Sequence, residues 1–252
     1  MMLFEYPLHE RTRLFLRLEN TFLRLRGLAS VADRHNHHAA MMVLFELLEI
    51  VSGRSDLKSE LLQELEKQRL SLNQFLNVEG VDHSALAHVL TEIENAYQGL
   101  VNWGQRPGQN LRDNEWLSAV RSRASVPGGM CEFDLPNYHS WLHLPASARE
   151  PQIAQWIDSF APIEVCLMLS LKLLRGGGTP LDAVASNGQL QQDVRSKPYQ
   201  LMRIWVDEAQ GAVPEISASK YVVWVRLMQR STEFKSNPLE RDVPLRIALC
   251  AL

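Results

Sequence analysis

Apolar residues recur at helical spacing through the first two thirds of the chain. Between His9 and Leu28 they fall on one stripe, at Leu14, Phe15, Leu18, Phe22 and Leu25. This periodicity of 3.6 residues predicts a helix with one buried face. The same spacing predicts further helices over about 37–51, 55–75, 82–103, 113–124, 136–158 and 161–175. Short loops between them are typical of a helix bundle.

Local residue types mark several of the expected helix ends. Ser55 and Asp82 precede apolar periodic segments and are expected to be N-caps, and Gly53 follows one in a C-cap position. The stretch 104–110, GQRPGQN, and the Pro-Gly-Gly sequence at 127–129 are expected to form a loop and a turn.

The pattern changes after the glycine run at 176–178. The segments 199–207, 220–228 and 242–250 are rich in Val, Ile, Trp, Tyr and Leu, and the stretches EAQGAVPE and STEFKSNP separate them. This pattern predicts an antiparallel β-meander. The polar residues 176–198 indicate a long, mobile connection.

The fold class predicted is therefore α+β, with a helical bundle followed by a small antiparallel β-domain. We expect residues 1–175 to form the mainly α-helical domain, with short extended pieces near 2–6 and 131–134. Residues 176–252 are expected to form the mainly β-strand domain.

Composition excludes several classes of protein. The 252 residues are 46 % hydrophobic and carry 26 basic against 29 acidic side chains, for a net charge of −3. This balance disfavours a broadly polyanionic partner, so neither nucleic acid nor an anionic membrane is expected to bind. Phe15 and Phe22 fall in the core stripe and are not interleaved with exposed arginines, as a single-stranded nucleic-acid surface would require.

The cysteines and the N-terminal segment indicate a cytoplasmic protein. The three cysteines, Cys131, Cys166 and Cys250, are odd in number and form no CxxC pair. Neither a disulfide framework nor a zinc site is predicted from them. The first residues lack the basic start, apolar run and cleavage site of a signal peptide.

Histidines provide the only candidate catalytic or metal site. His35, His37 and His38 lie within four residues, but no further ligands are spaced to complete a tetrahedral site. His139 and His143 share a helical face without the glutamate of an HExxH motif. We predict no metal, no cofactor and no enzyme; a small-molecule or metal-dependent enzyme using His139 and His143 stays open as the alternative.

A basic constellation is the more informative feature. Arg13, Arg17 and Arg24 cluster on the polar face of the first helix, away from its apolar stripe. Further arginines accompany the short helix before the Pro-Gly-Gly turn, at Arg112, Arg121 and Arg123. Guanidinium groups bind carboxylates bidentately, and clusters of them capture acidic linear motifs.

Three collinear blocks give the sequence a family resemblance. They are LFEYPLHERTRLFLRLE at 3–19, LLQELEKQRLSLNQFLNVEGVD at 61–82 and VRSRASVPGGMCEFDLPNYHSWLHLP at 120–145. Together they resemble the ZapD family of bacterial cell-division proteins. The third block is the most specific, because its motifs follow in one uninterrupted order. The resemblance covers residues 3–158 well and is weaker beyond, around 216–228 and the last strand.

The resemblance implies a non-enzymatic function. Proteins of this family are homodimers with a helical and a β-strand domain, and they bind the C-terminal tail of the tubulin-like protein FtsZ. They crosslink or bundle its filaments and so stabilise the Z-ring at the mid-cell division site. Matched residue by residue, the family's basic surface falls on Arg13, Arg17 and His139; near the start of the short helix, where a basic residue is expected, this chain has Glu115. The predicted FtsZ-binding surface comprises Arg13, Arg17, Arg24, Arg112, Arg121, Arg123 and His139.

Overall fold

The structure, a computed structural model, describes residues 1–104, 106–231 and 237–252. Its helices are α1 (Glu10–Ala29), α2 (Arg34–Ser52), α3 (Leu57–Asn73), α4 (His83–Val101), α5 (Gln109–Arg112), α6 (Glu115–Ala124), α7 (Pro136–Leu142), α8 (Ala146–Asp158) and α9 (Ala161–Gly176). Its strands are β1 (Met2–Pro7), β2 (Leu181–Ala185), β3 (Gln189–Asp193), β4 (Leu201–Val206), β5 (Ala212–Ala218), β6 (Val222–Gln229) and β7 (Val243–Cys250). The α+β prediction is confirmed.

Contacts divide the chain into two compact units. One contains residues 1–16 and 171–252, and the other contains residues 17–170. The N-terminal extended piece was placed with the helices from sequence, but as β1 it pairs antiparallel with β4. Its hydrogen bonds therefore put it among the strands. No helix in the described ranges is long and apolar enough to cross a membrane.

Local chemistry explains where the helices of the second unit begin. The carboxylate of Asp82 accepts hydrogen bonds of 3.0 Å from the backbone N–H groups of Ser84 and Ala85, as expected of an N-cap. Asp33 caps α2 in the same way. The prediction of Ser55 as a cap is wrong, because α3 begins at Leu57 with Asp56 as its N-cap.

Two further expectations about this unit are also wrong. The helix predicted over 55–75 ends at Asn73, so Phe75 lies beyond it and is exposed. The helix predicted over 136–158 is two helices, because Pro145 disfavours helical backbone in the residue before it.

The piece near 131–134, expected to be extended, is a turn. The N–H groups of Asp134 and Leu135 both donate to the carbonyl oxygen of Cys131, at 3.1 and 2.9 Å. Pro136 then occupies the first position of α7, where its missing N–H costs nothing. This turn leads directly into the helix that carries His139.

The strands form two sheets and not the expected meander. The four-stranded sheet has the order β1-β4-β7-β2, and the three-stranded sheet has the order β3-β6-β5. The meander is wrong because β4 pairs with β7 while β5 and β6, which lie between them in sequence, form a hairpin in the other sheet. Side chains from both sheets share one core that includes Ile204, Val225 and Leu245.

The segment 176–198 is structured over much of its length. It contains β2 and β3, so the prediction of a long mobile connection is wrong. Asn187 and Gly188 join them with φ values of 49° and 70°, the positive values that a two-residue hairpin turn requires. The predicted turn STEFKSNP covers residues 231–238, of which 232–236 lie outside the described residues, and Gln105 of the predicted loop at 104–110 does so too.

Candidate functional site

The first helix carries the arginines that the sequence predicted for binding. The Nε of Arg13 lies 3.2 Å from Glu10 Oε1, and its guanidinium is 5.8 Å from the centre of the Tyr6 ring. Arg17 is exposed, and within the described parts of the chain its guanidinium takes part in no ion pair. The charge of Arg17 is therefore available to a partner, while that of Arg13 is partly neutralised.

Two other predicted arginines pair with glutamates on α2. The Nη2 of Arg24 lies 2.6 Å from Glu46 Oε2, and the Nη1 of Arg121 lies 3.4 Å from Glu49 Oε1. All four residues belong to the helical unit, so α2 brings the polar faces of α1 and α6 together there. Such exposed pairs contribute only about 0–1 kcal/mol each, so an incoming carboxylate competes with them at little cost.

Arg112 and Arg123 differ in their surroundings. The Nη2 of Arg112 donates to the carbonyl oxygen of Pro107 at 3.1 Å, and its Nε is buried without a hydrogen-bond partner. Arg123 is exposed and lies 3.7 Å from the carboxylate of Asp134. Arg112 thus holds the loop before α5, and Arg123 is the more accessible of the two.

The position of His139 follows from the buried face of α7. Tyr138 and Trp141 point into the core, and His139 is consequently exposed. Its Nδ1 lies 4.0 Å from Glu132 Oε2, and its ring centre lies 4.4 Å from that of His143. The two histidines noted in the sequence therefore form a solvent-facing pair whose rings are tilted by 45°.

An aromatic cluster supports this helix from beneath. The rings of Trp116, Tyr138, Trp141 and Trp156 have neighbouring centres 5.6–5.9 Å apart, a spacing typical of favourable aromatic pairs. The Tyr138 hydroxyl lies 2.9 Å from His38 Nδ1. Burial raises the pKa of Tyr138 and lowers the pKa of His38, so both groups are neutral near pH 7.

A buried arginine, which the sequence did not single out, links α8 to α2. The Nε of Arg149 donates to His37 Nδ1 at 3.0 Å, and its Nη1 donates to the carbonyl oxygen of Leu142. Burial, and secondarily the nearby Arg149 charge, lowers the pKa of His37. His37 is therefore a core residue, which argues against a metal site in the sequence DRHNHH. Within the described ranges, no group of three or more His, Cys, Asp or Glu is placed to hold a metal ion.

Two of the predicted arginines, Arg24 and Arg121, pair with glutamates of α2, and α7, which carries His139, contacts α2 through Tyr138 and His38. His38, next to α7, and Glu49, next to α6, are separated along the helix by roughly 16 Å. The structure thus brings Arg24, Arg121 and His139 to one elongated element, whereas Arg13 belongs to the other compact unit. We call Arg24, Arg121 and His139 the basic strip, and its elongated shape suits an extended peptide better than a small molecule.

Glu115 has a local structural role. It is exposed in the first turn of α6, where a carboxylate interacts favourably with the helix dipole. The N-cap of that helix is Asn114, whose side chain accepts a hydrogen bond of 3.0 Å from Leu117 N–H.

Comparison with known proteins agrees with the resemblance. The ZapD family model, described as "Cell division protein", matches residues 16–226. A "Cell division protein ZapD" of Janthinobacterium sp. (strain Marseille) is 40 % identical over 251 residues, covering 100 % of both chains. Proteins of the same name from Ralstonia pickettii (strain 12J) and Ralstonia nicotianae (strain ATCC BAA-1114 / GMI1000) are 42 % and 41 % identical, each covering 99 % of both chains.

The family model includes Arg17, Arg24 and His139 and the arginines of α6, whereas Arg13, β1 and β7 lie outside its range and are covered by the alignment with the Janthinobacterium protein. A similarity of this extent establishes the family. The chain belongs to the ZapD family of cell division proteins.

Proposed function

We propose that this protein binds the C-terminal tail of FtsZ through the basic side chains of α1, α6 and α7, and that a homodimer crosslinks FtsZ filaments at the division site. Acidic side chains of the tail pair with Arg17 and the neighbouring basic groups. An apolar side chain of the tail docks beside them. The role requires no cofactor and no catalysis.

The observation that carries the proposal is Arg17, an exposed guanidinium for which the described residues supply no ion-pair partner, in a member of a cell-division family. A charge held in solvent without a partner adds nothing to folding. Guanidinium groups bind carboxylates with two parallel N–H···O bonds, which gives geometric selectivity as well as energy. Arg17 is therefore the best single anchor for an acidic peptide.

One site of this kind binds weakly. Each exposed ion pair contributes about 0–1 kcal/mol, so three or four of them supply at most about 3–4 kcal/mol, which corresponds to a dissociation constant of about 1 mM or weaker for a single tail. A dimer presents two sites, and a filament displays many tails, so the second contact is intramolecular. Avidity then exceeds the single-site affinity by roughly 10²–10⁴ without any new contact. Bundling follows from this bivalency.

The enzyme considered from sequence lacks support in the geometry of its histidines. His143 Nδ1 lies 2.8 Å from the carbonyl oxygen of His139, and His143 Nε2 lies 3.3 Å from a guanidinium nitrogen of Arg34. Both ring nitrogens are therefore engaged by the protein. The pair also lies on the surface, where a substrate is not enclosed.

Calorimetric titration with a synthetic FtsZ C-terminal tail tests the proposal at the level of one site. We expect saturable binding with one peptide per protomer, and at least tenfold weaker binding of a scrambled peptide of the same composition. Light scattering coupled to size exclusion gives the mass of the particle and is expected to show a dimer. Absence of binding by the native peptide, or equal binding of the scrambled one, contradicts the proposal.

A further inference from the structure

A second exposed arginine without an ion pair lies beside α7. Arg34 is the first residue of α2, and among the described residues no carboxylate pairs with it. Its contacts are to imidazoles instead: Nε lies 3.3 Å from His35 Nε2, and Nη1 lies 3.3 Å from His143 Nε2. An isolated arginine in DRHNHH carries no signal in the sequence of its contact with α7.

The hydrogen bonds of His143 determine its tautomer. The carbonyl oxygen of His139 can only accept, so His143 Nδ1, at 2.8 Å from it, carries the hydrogen. In the neutral ring, Nε2 then presents its lone pair to the Arg34 guanidinium. An imidazole carries no negative charge, so the contact with His143 positions Arg34 and leaves the positive charge of Arg34 uncompensated.

This arrangement pre-organises Arg34 for an anion. A guanidinium has five N–H groups, and the two imidazoles occupy only two of them. The remaining donors can receive a carboxylate in the forked geometry. Because two contacts already restrict the side chain, less conformational freedom is lost when the anion binds.

An unusually exposed aromatic residue lies in the turn that leads into α7. The side chain of Phe133 is 80 % exposed, in the turn whose N–H groups donate to the Cys131 carbonyl. The preceding residue, Glu132, places its carboxylate 4.0 Å from His139 Nδ1. Arg34 thus contacts His143, and the turn that carries Phe133 approaches His139 through Glu132.

We infer that Arg34 and Phe133 form a second anchor for the acidic peptide, at the α7 end of the basic strip. Arg34, positioned by His143, binds a carboxylate of the peptide, and Phe133 packs against an apolar side chain of the same segment. The inference rests on the proposed function and extends it to residues outside the predicted surface. The complementary chemistry is that of a short acidic segment with an interspersed apolar residue.

The test is tail-peptide titration of dimeric full-length protein carrying Arg34→Glu, Phe133→Ala or the matched control Lys220→Glu. Lys220 is an exposed cation on the strand-containing unit, so its reversal makes the same change in net charge. We expect Arg34→Glu to weaken peptide binding about five- to tenfold and to lower the salt dependence of the dissociation constant. Phe133→Ala should weaken it about threefold or more.

A fourth variant separates binding from positioning. His143→Ala keeps the Arg34 charge but removes one of its restraints, so we expect a smaller loss, about two- to threefold, with the salt dependence retained. Circular dichroism melting checks that each variant is folded. In His143→Ala, His35 Nε2 still contacts Arg34, so the guanidinium keeps one of its two restraints and all of its charge.

The outcomes distinguish this inference from the function on which it rests. Suppose that the wild type binds the peptide, that Arg17→Glu weakens this binding, and that Arg34→Glu and Phe133→Ala bind as the wild type does. The second anchor is then wrong and the proposed function stands. An equal loss in Lys220→Glu also overturns it, because net charge then explains the effect. If wild type itself does not bind, both proposals fail.

Discussion

Replacing Arg17 with glutamate should remove FtsZ bundling at the protein concentrations at which the wild type bundles, while leaving the protein folded. Arg17 is exposed, and no ion pair within the described residues depends on it. A surface substitution of this kind changes the free energy of unfolding by about 0.5 kcal/mol or less. The variant should therefore keep the circular dichroism spectrum, the melting temperature and the dimer mass of the wild type.

The loss of binding can be estimated from the exposure of Arg17. An exposed ion pair contributes up to about 1 kcal/mol, and reversing the charge replaces that attraction with a repulsion of similar size. The total is about 1–2 kcal/mol per site, or roughly tenfold in the dissociation constant. A dimer that uses both sites loses this twice, so bundling should require about 100-fold more protein.

Sedimentation of FtsZ filaments over a range of protein concentrations measures this shift. Lys220→Glu is the matched control, because it reverses an exposed positive charge on the other compact unit and should pellet bundles as wild type does. If Arg17→Glu bundles at wild-type concentrations, Arg17 is not an anchor and the reasoning from uncompensated charge is refuted.

Three further predictions concern the fold. Burial lowers the pKa of His37 from its usual 6.5, so the unfolded chain binds the proton more tightly than the folded chain does. The contribution of His37 to stability should therefore be complete above pH 6.5 and fall as the pH decreases below it. Chemical denaturation from pH 7.5 to 5 should show a smaller fall in the free energy of unfolding for His37→Gln than for the wild type. In the native protein a maleimide should label Cys131, which is exposed, and spare Cys166, whose burial raises the thiol pKa to about 12; fast labelling of Cys166 contradicts this. Gly188→Ala should lower stability by about 1–3 kcal/mol in urea unfolding, because φ is +70° and a Cβ would meet the backbone of Leu239; an unchanged midpoint is inconsistent with this turn.

Local features of the sequence predict the helices well. The cap at Asp82 and the buried stripe of α1 depend on residues within a few positions of one another, and both are present in the structure. The break before α8 follows from Pro145 by an equally local rule, the restriction on the residue preceding a proline.

Strand pairing was less predictable, because it joins residues far apart in the chain. β1 pairs with β4 across about 200 residues, and β7 inserts next to β4 although a hairpin separates them in sequence. β3 escaped detection because only one face of this edge strand is partly buried, and most of its residues are polar. The turn at Asn187-Gly188 was the signal that could have revealed it.

The candidate site could likewise be predicted only in part: the sequence indicates which arginines are exposed, but not which of them form ion pairs. Spacing on a helix predicts that Arg17 and Arg24 are exposed, but it cannot show that Glu46, twenty-two residues away, neutralises only Arg24. The contact of Arg34 with His143 spans 109 residues and is equally invisible in the sequence. Which charges are compensated is therefore a property of the folded chain.

Sedimentation of this protein with full-length FtsZ and with FtsZ lacking its C-terminal tail tests the central claim most directly. The account predicts that the protein pellets with full-length filaments and bundles them, and that it stays in the supernatant when the tail is absent. Equal pelleting with tail-less filaments would contradict the account.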